Sequence, residues 1–326
     1  MSNCATMESR PFRLLCAVCS LGRGDVATAD ERTKTILEAV RKNPDMPITL
    51  NCNAGDVFVY QDTGTADDTP EGAEFNMRRD LEILYRLNLN PGDTLPARIL
   101  FHRLLETIEN VSGICGYPSA TADAWKGCPR ATSGDYERGR ARGSGNIIPA
   151  RDKVEMEAEK AASLAAMHKA ESVRIRPHIL VCSVCQYGVG TRPPYPDDNL
   201  PELLQLILKE PDTLVMMAPG ADWMMCAPCP HRSPRLNACV IHQGAGGLPN
   251  QMRDLRVLQK LGLTYGSTMK ARDLYRLIFE RITATPEICW IVQSKPSVWA
   301  SGCGSARAGC PDYAEGRKAL MAALKL

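Results

Sequence analysis

The 326-residue chain sets 39 Lys and Arg against 37 Asp and Glu. The resulting net charge of +2 implies no polyanionic partner, so a nucleic-acid role is not expected. An apolar fraction of 44% is ordinary for a globular protein, and no apolar run approaches the ~20 residues of a membrane-spanning helix, which argues against a membrane protein.

In chain order, the first marked segment is "FRLLCAVCSLG" at 12–22. It has the length of a signal-peptide core, but "GRGD" follows instead of small-residue cleavage chemistry, and a near-copy recurs at 178–190. Export is therefore not expected, and a reducing cytoplasmic compartment is. Disulfides are rare there, so fourteen cysteines point toward metal or redox chemistry, the plain alternative being buried thiols that behave as small hydrophobes. Residues 137–149, "ERGRARGSGNIIP", read as an Arg- and Gly-rich loop, a solvated linker rather than an RNA-binding arm. The Ala-, Glu-, Lys- and Met-rich stretch after it reads as an exposed helix joining two domains.

Beyond the linker, "HILVC" is a short continuous apolar run that reads as a buried strand ending in "CSVC". "GVGTRPPYPDDN" is a loop whose glycines suit a turn better than a phosphate cradle, because they lack nucleotide-fingerprint spacing. "LPELLQLILKE" is an amphipathic helix with Pro201 near its start, and "TLVMMA" a second strand. This strand–helix–strand order predicts parallel pairing. "NQMRDLRVLQKLGL", closed by Gly262, and "KARDLYRLIFERI", with Leu274, Leu277, Ile278 and Ile282 on one stripe, are covering helices.

The chain also repeats itself. Asp80–Cys115 aligns with Asp254–Cys289 at a constant offset of 174, with 14 identities in 36 positions. Unrelated segments would share roughly two. Upstream, at offsets of 166–167, Cys16, Cys19, Gly22 and Gly24 meet Cys182, Cys185, Gly188 and Gly190, and Asp56 meets Asp222. The expected fold is α/β: a tandem duplication of a small strand–helix–strand unit, thioredoxin-like in outline, with covering helices and cysteine-bearing loops. The expected domains are 1–136, a linker at 137–175, and 176–326.

The repeat sorts the thiols. Cys16, Cys19, Cys115 and Cys128 in the first copy correspond to Cys182, Cys185, Cys289 and Cys303 in the second. Cys226, Cys229, Cys239 and Cys310 occur only in the second, where the first has Tyr60 and Thr63 facing Cys226 and Cys229. "CAPCPHRSPRLNAC" places three thiols within fourteen residues, a spacing that suits zinc or an iron–sulfur cluster, with Cys310 or Cys182 as candidate fourth ligand. His231 reads as a surface residue. "CSVC" and "CAVC" also fit a thiol–disulfide pair, but a Gly-rich loop follows where a redox motif would have a helix.

The order "RPHILVC", "ADWMMCAPCPHR…NAC", "DLRVLQKLGLTYGSTMKARDL" and "EIC…C…C" resembles short prokaryotic proteins of unknown function described as iron–sulfur-binding. The resemblance covers about 176–312 and implies Cys182, Cys226, Cys229, Cys239, Cys289, Cys303 and Cys310 as ligand positions. Here Trp223-Met224-Met225 interrupts the Asp-to-Cys spacing, and Cys303 stands fourteen residues beyond Cys289. A fainter likeness is to thioredoxin-like two-iron ferredoxins. Three functions are thus expected: a cytosolic iron–sulfur or zinc protein acting in electron transfer with a redox or protein partner, or as a cluster-stabilised scaffold; a thiol–disulfide oxidoreductase; and an interaction module whose cysteines only pack.

Overall fold

The computed structural model describes residues 6–24, 26, 29–54, 61–119, 122–189, 197–240, 247–290 and 309–326. Asp56, Tyr60, Gly190 and Cys303 lie outside them. The chain is mixed α/β and divides into two units, Met1–Ala150 and Arg151–Leu326, each with its own apolar core. No helix among the described residues is long and apolar enough to cross a membrane.

The first unit runs β1 (Met7–Ser9), α1 (Phe12–Arg23), α2 (Glu31–Lys42), β2 (Pro47–Leu50), α3 (Ala73–Leu87), β3 (Thr94–Pro96), α4 (Ala97–Thr107) and α5 (Asp135–Ala141). Strand β2 is central, parallel to β1 and antiparallel to β3. The second unit opens with α6 (Lys153–Lys169), then β4 (Val173–Ile175), α7 (Pro177–Gly188), α8 (Leu200–Lys209), β5 (Leu214–Met217) and α9 (Trp223–Cys226). A two-stranded hairpin of β6 (Arg232–Ser233) and β7 (Ala238–Cys239) follows. Then come α10 (Leu248–Leu261), β8 (Thr268–Lys270), α11 (Ala271–Arg281), α12 (Pro286–Cys289) and α13 (Asp312–Leu324). Its main sheet pairs β5 parallel to β4 and antiparallel to β8.

The strand expected at "HILVC" is instead helix α7, and "FRLLCAVCSLG" is helix α1. The strand lies one step earlier, at Val173–Ile175. A short run apolar on every side fits a buried helix as well as a buried strand, and α7 buries Leu180, Val181, Val184 and Cys185 together with Pro177 and Gln186. Pro177 at the first turn starts it, where a missing N–H costs nothing. Its polar Ser183 is satisfied by the Leu180 carbonyl and the Tyr275 hydroxyl, both at 2.6 Å.

A buried carboxylate fixes the start of each cysteine-bearing helix. Asp254, from α10, accepts the Arg176 guanidinium at 2.7 and 2.9 Å, the His178 backbone N–H at 3.1 Å and His178 Nδ1 at 2.6 Å. Asp80, from α3, likewise pairs with Arg10 and accepts the Phe12 N–H at 2.9 Å. An anion at a helix N-terminus complements the macrodipole and the free N–H groups there. Burial lowers the His178 pKa, against the pull of Asp254. Burial alone would raise Asp254, but His178 and Arg176 hold it below the usual carboxylate range.

The segment expected as a linker loop at 137–149 contains most of α5, which packs on α1. Its arginines are engaged within the unit: Arg138 with Asp135, Arg140 with the Leu105 carbonyl and Arg142 with the Leu21 carbonyl. The contact is glycine-mediated. A Cβ on Gly22 would stand 1.8 Å from the Asp135 oxygen, and one on Gly139 2.1 Å from the Val18 oxygen. In the second unit α7 and α13 meet in the same manner through Gly188 and Gly316. Gly188 therefore serves helix packing, not a turn. Helix α6 is a helix as expected, but Met167 and Ser163 are buried in the second unit and Asn199 Nδ2 donates to Ser163 Oγ at 2.7 Å.

Candidate metal centre

The predicted ligand positions fall into three groups. In the first unit, Cys16 and Cys19 occupy one face of α1, one helical turn apart. Cys115 closes a turn through its N–H to the Val111 carbonyl at 2.9 Å, and Cys128 is tied to it by its own N–H to the Cys115 carbonyl at 2.7 Å. Gly127 permits that approach, because a Cβ there would stand 2.4 Å from the Cys115 oxygen.

 The Gly127 φ is +85°, in the left-handed region that favours glycine. The four thiols lie near enough to act on one another: Cys19 is raised by Cys16, Cys115 and Cys128, and Cys115 by Cys16 and Cys128. Burial is the larger cause, pushing Cys16 up to about 11 and Cys115 up to about 12. The buried Arg79 guanidinium opposes it, hydrogen-bonding Cys115 and stacking over Phe12 at 4.0 Å.

In the second unit, Cys182 and Cys185 sit on α7, Cys289 ends α12 and Cys310 precedes α13. Cys185 and Cys289 both flank the buried Tyr313, whose hydroxyl donates to the Ile282 carbonyl at 2.7 Å. Cys19 and Cys115 flank Tyr136 in the same way, and its hydroxyl donates to the Ile108 carbonyl at 2.9 Å. Cys310 is held through its N–H to Thr285 Oγ1 at 2.7 Å.

The third group is Cys226, Cys229 and Cys239. Asp222 caps α9 by accepting the Met224 N–H at 3.0 Å, and α9 delivers Cys226. A turn closed by the Cys229 N–H on the Cys226 carbonyl, 3.0 Å, sets the second thiol. Arg151 clamps that turn, donating to the Ala227 and Cys229 carbonyls at 2.7 Å each. The hairpin then pairs Cys239 with Arg232, which returns the third thiol to within three residues of Cys229 in register. Two of the three sulfurs accept hydrogen bonds: Cys229 from the His231 N–H, and Cys239 from Asn250 Nδ2 at 3.3 Å. Burial drives Cys226 well above its usual value and Cys229 up to about 12; Arg176 pulls Cys226 down.

The donor chemistry fits a soft or borderline cation, since amide donors to sulfur are what a ligated thiolate requires. As they stand, no three His, Cys or acidic side chains among the described residues are disposed to hold a metal ion. His231 is exposed, as expected. The "CSVC" pair lies in the middle of a helix, which replaces the strand-end setting expected from the sequence and keeps the pair away from the helix N-terminus a redox thiolate would use. Sequence reasoning missed Arg79, Arg176 and Asn250. The Arg-Pro pairs at 10–11 and 176–177, at the established offset, were the available signal for Arg176. No family model matches the chain, and no curated protein or solved structure matches it.

Proposed function

We propose that the chain is a cysteine-ligated metal protein whose principal site is Cys226, Cys229 and Cys239. The observation that carries this reading is the hairpin register that returns Cys239 to the C-x-x-C turn, with hydrogen-bond donors already on the sulfurs of Cys229 and Cys239. Zinc or an iron–sulfur cluster would be the bound group, and it would supply either a rigid cross-link or an electron-transfer centre facing a redox or protein partner. Burial raises the Cys226 and Cys229 thiols, which disfavours thiol–disulfide exchange at that pair but not metal binding, because the ion displaces the proton.

The four thiols around Arg79 form a second, independent donor set in the first unit. We read the two units as a tandem duplication. Beyond the repeat seen in the sequence, Asp-Tyr-x-x-Gly at 135–139 recurs at 312–316, and in both places the Tyr reaches a carbonyl and the Gly seats a helix. Replacing Cys226 and Cys229 by Ser tests the principal site: the double variant should lose the metal that the second unit carries. Full retention of metal by a folded double variant would reject the assignment.

A further inference from the structure

We propose that the first unit binds a small oxyanion of the phosphate or carboxylate class, anchored by Arg79 together with Arg10 and Arg13. The site is separate from the metal reading and does not depend on it.

Three guanidiniums gather round one ring. The ζ carbons of Arg79, Arg13 and Arg10 stand 4.0, 5.0 and 5.6 Å from the centre of the Phe12 ring, at the start of α1. Each keeps a buried nitrogen without a hydrogen-bond acceptor among the described residues: Arg79 Nε, Arg13 Nε and Arg10 Nη2. Arg79 and Arg10 are each only 2% exposed. The carboxylates at hand are already shared. Asp80 takes Arg10 and the Phe12 N–H, Asp68 takes Arg10, Asp30 takes Arg13 and the Thr33 N–H, and Asp67 takes both Arg13 and Arg32. Arg79 has none of them: its Nη2 donates to the Asn76 amide oxygen, and it forms no ion pair with the described residues. A buried cation without a carboxylate and buried donors without acceptors are each costly. An oxyanion relieves both, because the guanidinium fork matches the geometry of carboxylate and phosphate oxygens.

The second unit shows the same network closed. Arg253, the counterpart of Arg79, donates from Nε to the Cys289 carbonyl at 3.1 Å and from Nη1 to Asn250 Oδ1 at 2.8 Å. In the first unit the corresponding Cys115 carbonyl accepts the Cys128 N–H at 2.7 Å instead, and Arg79 Nε is left over. Arg176, the counterpart of Arg10, spends Nε and Nη2 on Asp254. Arg13 is matched by Ile179, so the extra cation belongs to the first unit alone. The cluster meets solvent at Arg13 and Asp67, whose side chains are 12% and 19% exposed, beside a segment at 61–69 that forms neither helix nor strand.

The test uses the full chain in phosphate-free buffer, titrated with inorganic phosphate and, separately, with acetate, each against sodium chloride of matched ionic strength. Calorimetric titration reads the affinity, and the thermal midpoint should rise with the bound anion, since a ligand of the folded state stabilises it. The expected result is saturable binding of one equivalent; phosphate acting without acetate marks a phosphoryl ligand, and acetate without phosphate a carboxylate. Arg79→Met should weaken that binding about tenfold or more, and Arg13→Ile, which copies the second unit, should weaken it as well. If neither anion acts beyond the chloride control, the proposal is overturned and the buried donors are met by water. An affinity unchanged in Arg79→Met would overturn it too. If Arg79→Met does not fold, Arg13→Ile decides, and unchanged affinity there rejects the site.

Discussion

Gly188→Ala sets two opposite forces against each other inside the helix that carries Cys182 and Cys185. Helix propensity alone favours Ala over Gly by about 1 kcal/mol. The structure argues the other way. The new methyl would stand 1.9 Å from the Asp312 carbonyl oxygen and 2.7 Å from the Gly316 nitrogen. Both are backbone atoms and cannot rotate aside. Restoring an ordinary contact of 3.4 Å requires α7 and α13 to part by 1.5 Å, the difference between 3.4 and 1.9. A radial gap of only ~0.5–1 Å forfeits a quarter to a half of each dispersion contact, and overpacking costs ~1–3 kcal/mol. Val184, Tyr313 and Leu320, all buried in the same core, would lose contact together. The expected net loss is about 2 kcal/mol or more after the propensity gain. Urea unfolding followed by far-UV circular dichroism should show an earlier midpoint for the second unit. Gly145→Ala, where nothing lies within 4 Å of the new methyl, should be near neutral. A Gly188→Ala protein as stable as the original would refute the close-packed helix pair.

Other outcomes follow from the same reasoning. Asp254→Ala leaves the buried Arg176 without its carboxylate and opens the N-terminus of α7; it should cost about 3–5 kcal/mol in a denaturant titration. Burial raises Cys52 from 9.0 to about 11, so the folded state holds that proton after the unfolded chain has released it. Its contribution is complete below about pH 9 and is lost as pH rises from 9 to 11, by up to about 2.7 kcal/mol. The gap in thermal stability between wild type and Cys52→Ala should change across that window and be constant below it. Zinc affinity should climb about tenfold or more per pH unit between pH 6 and 8, because each ligating thiol must lose a proton; a flat profile by chelator competition would count against thiolate ligation.

The parts of the molecule legible in sequence were those with a period or a punctuating residue. Helices α8, α10 and α11 follow from apolar spacing, with Gly262 at +69° ending α10. Strand β5 follows from its apolar run between turn residues. Helices α1 and α7 were not legible, because their partly exposed faces carry cysteines, at 16, 19 and 182, rather than a run of charged residues to mark the period. The residues 137–149 misled through composition: arginine and glycine suggest a loop, yet Gly139 is what lets α5 touch α1, and the arginines satisfy carbonyls. The cysteines announced themselves by spacing, but their partners did not. Asn199 lies far from Cys226 in sequence, and only its bonds to Met224 and Met225 bring the two segments together.

The most direct measurement is metal content and absorption of the chain purified without oxygen. The account predicts bound zinc or iron at about one equivalent or more per chain, with visible thiolate-to-iron absorption if the metal is iron, and its loss in the Cys226→Ser, Cys229→Ser protein. A colourless, metal-free and fully folded protein that also takes up no added zinc or ferrous iron would contradict it.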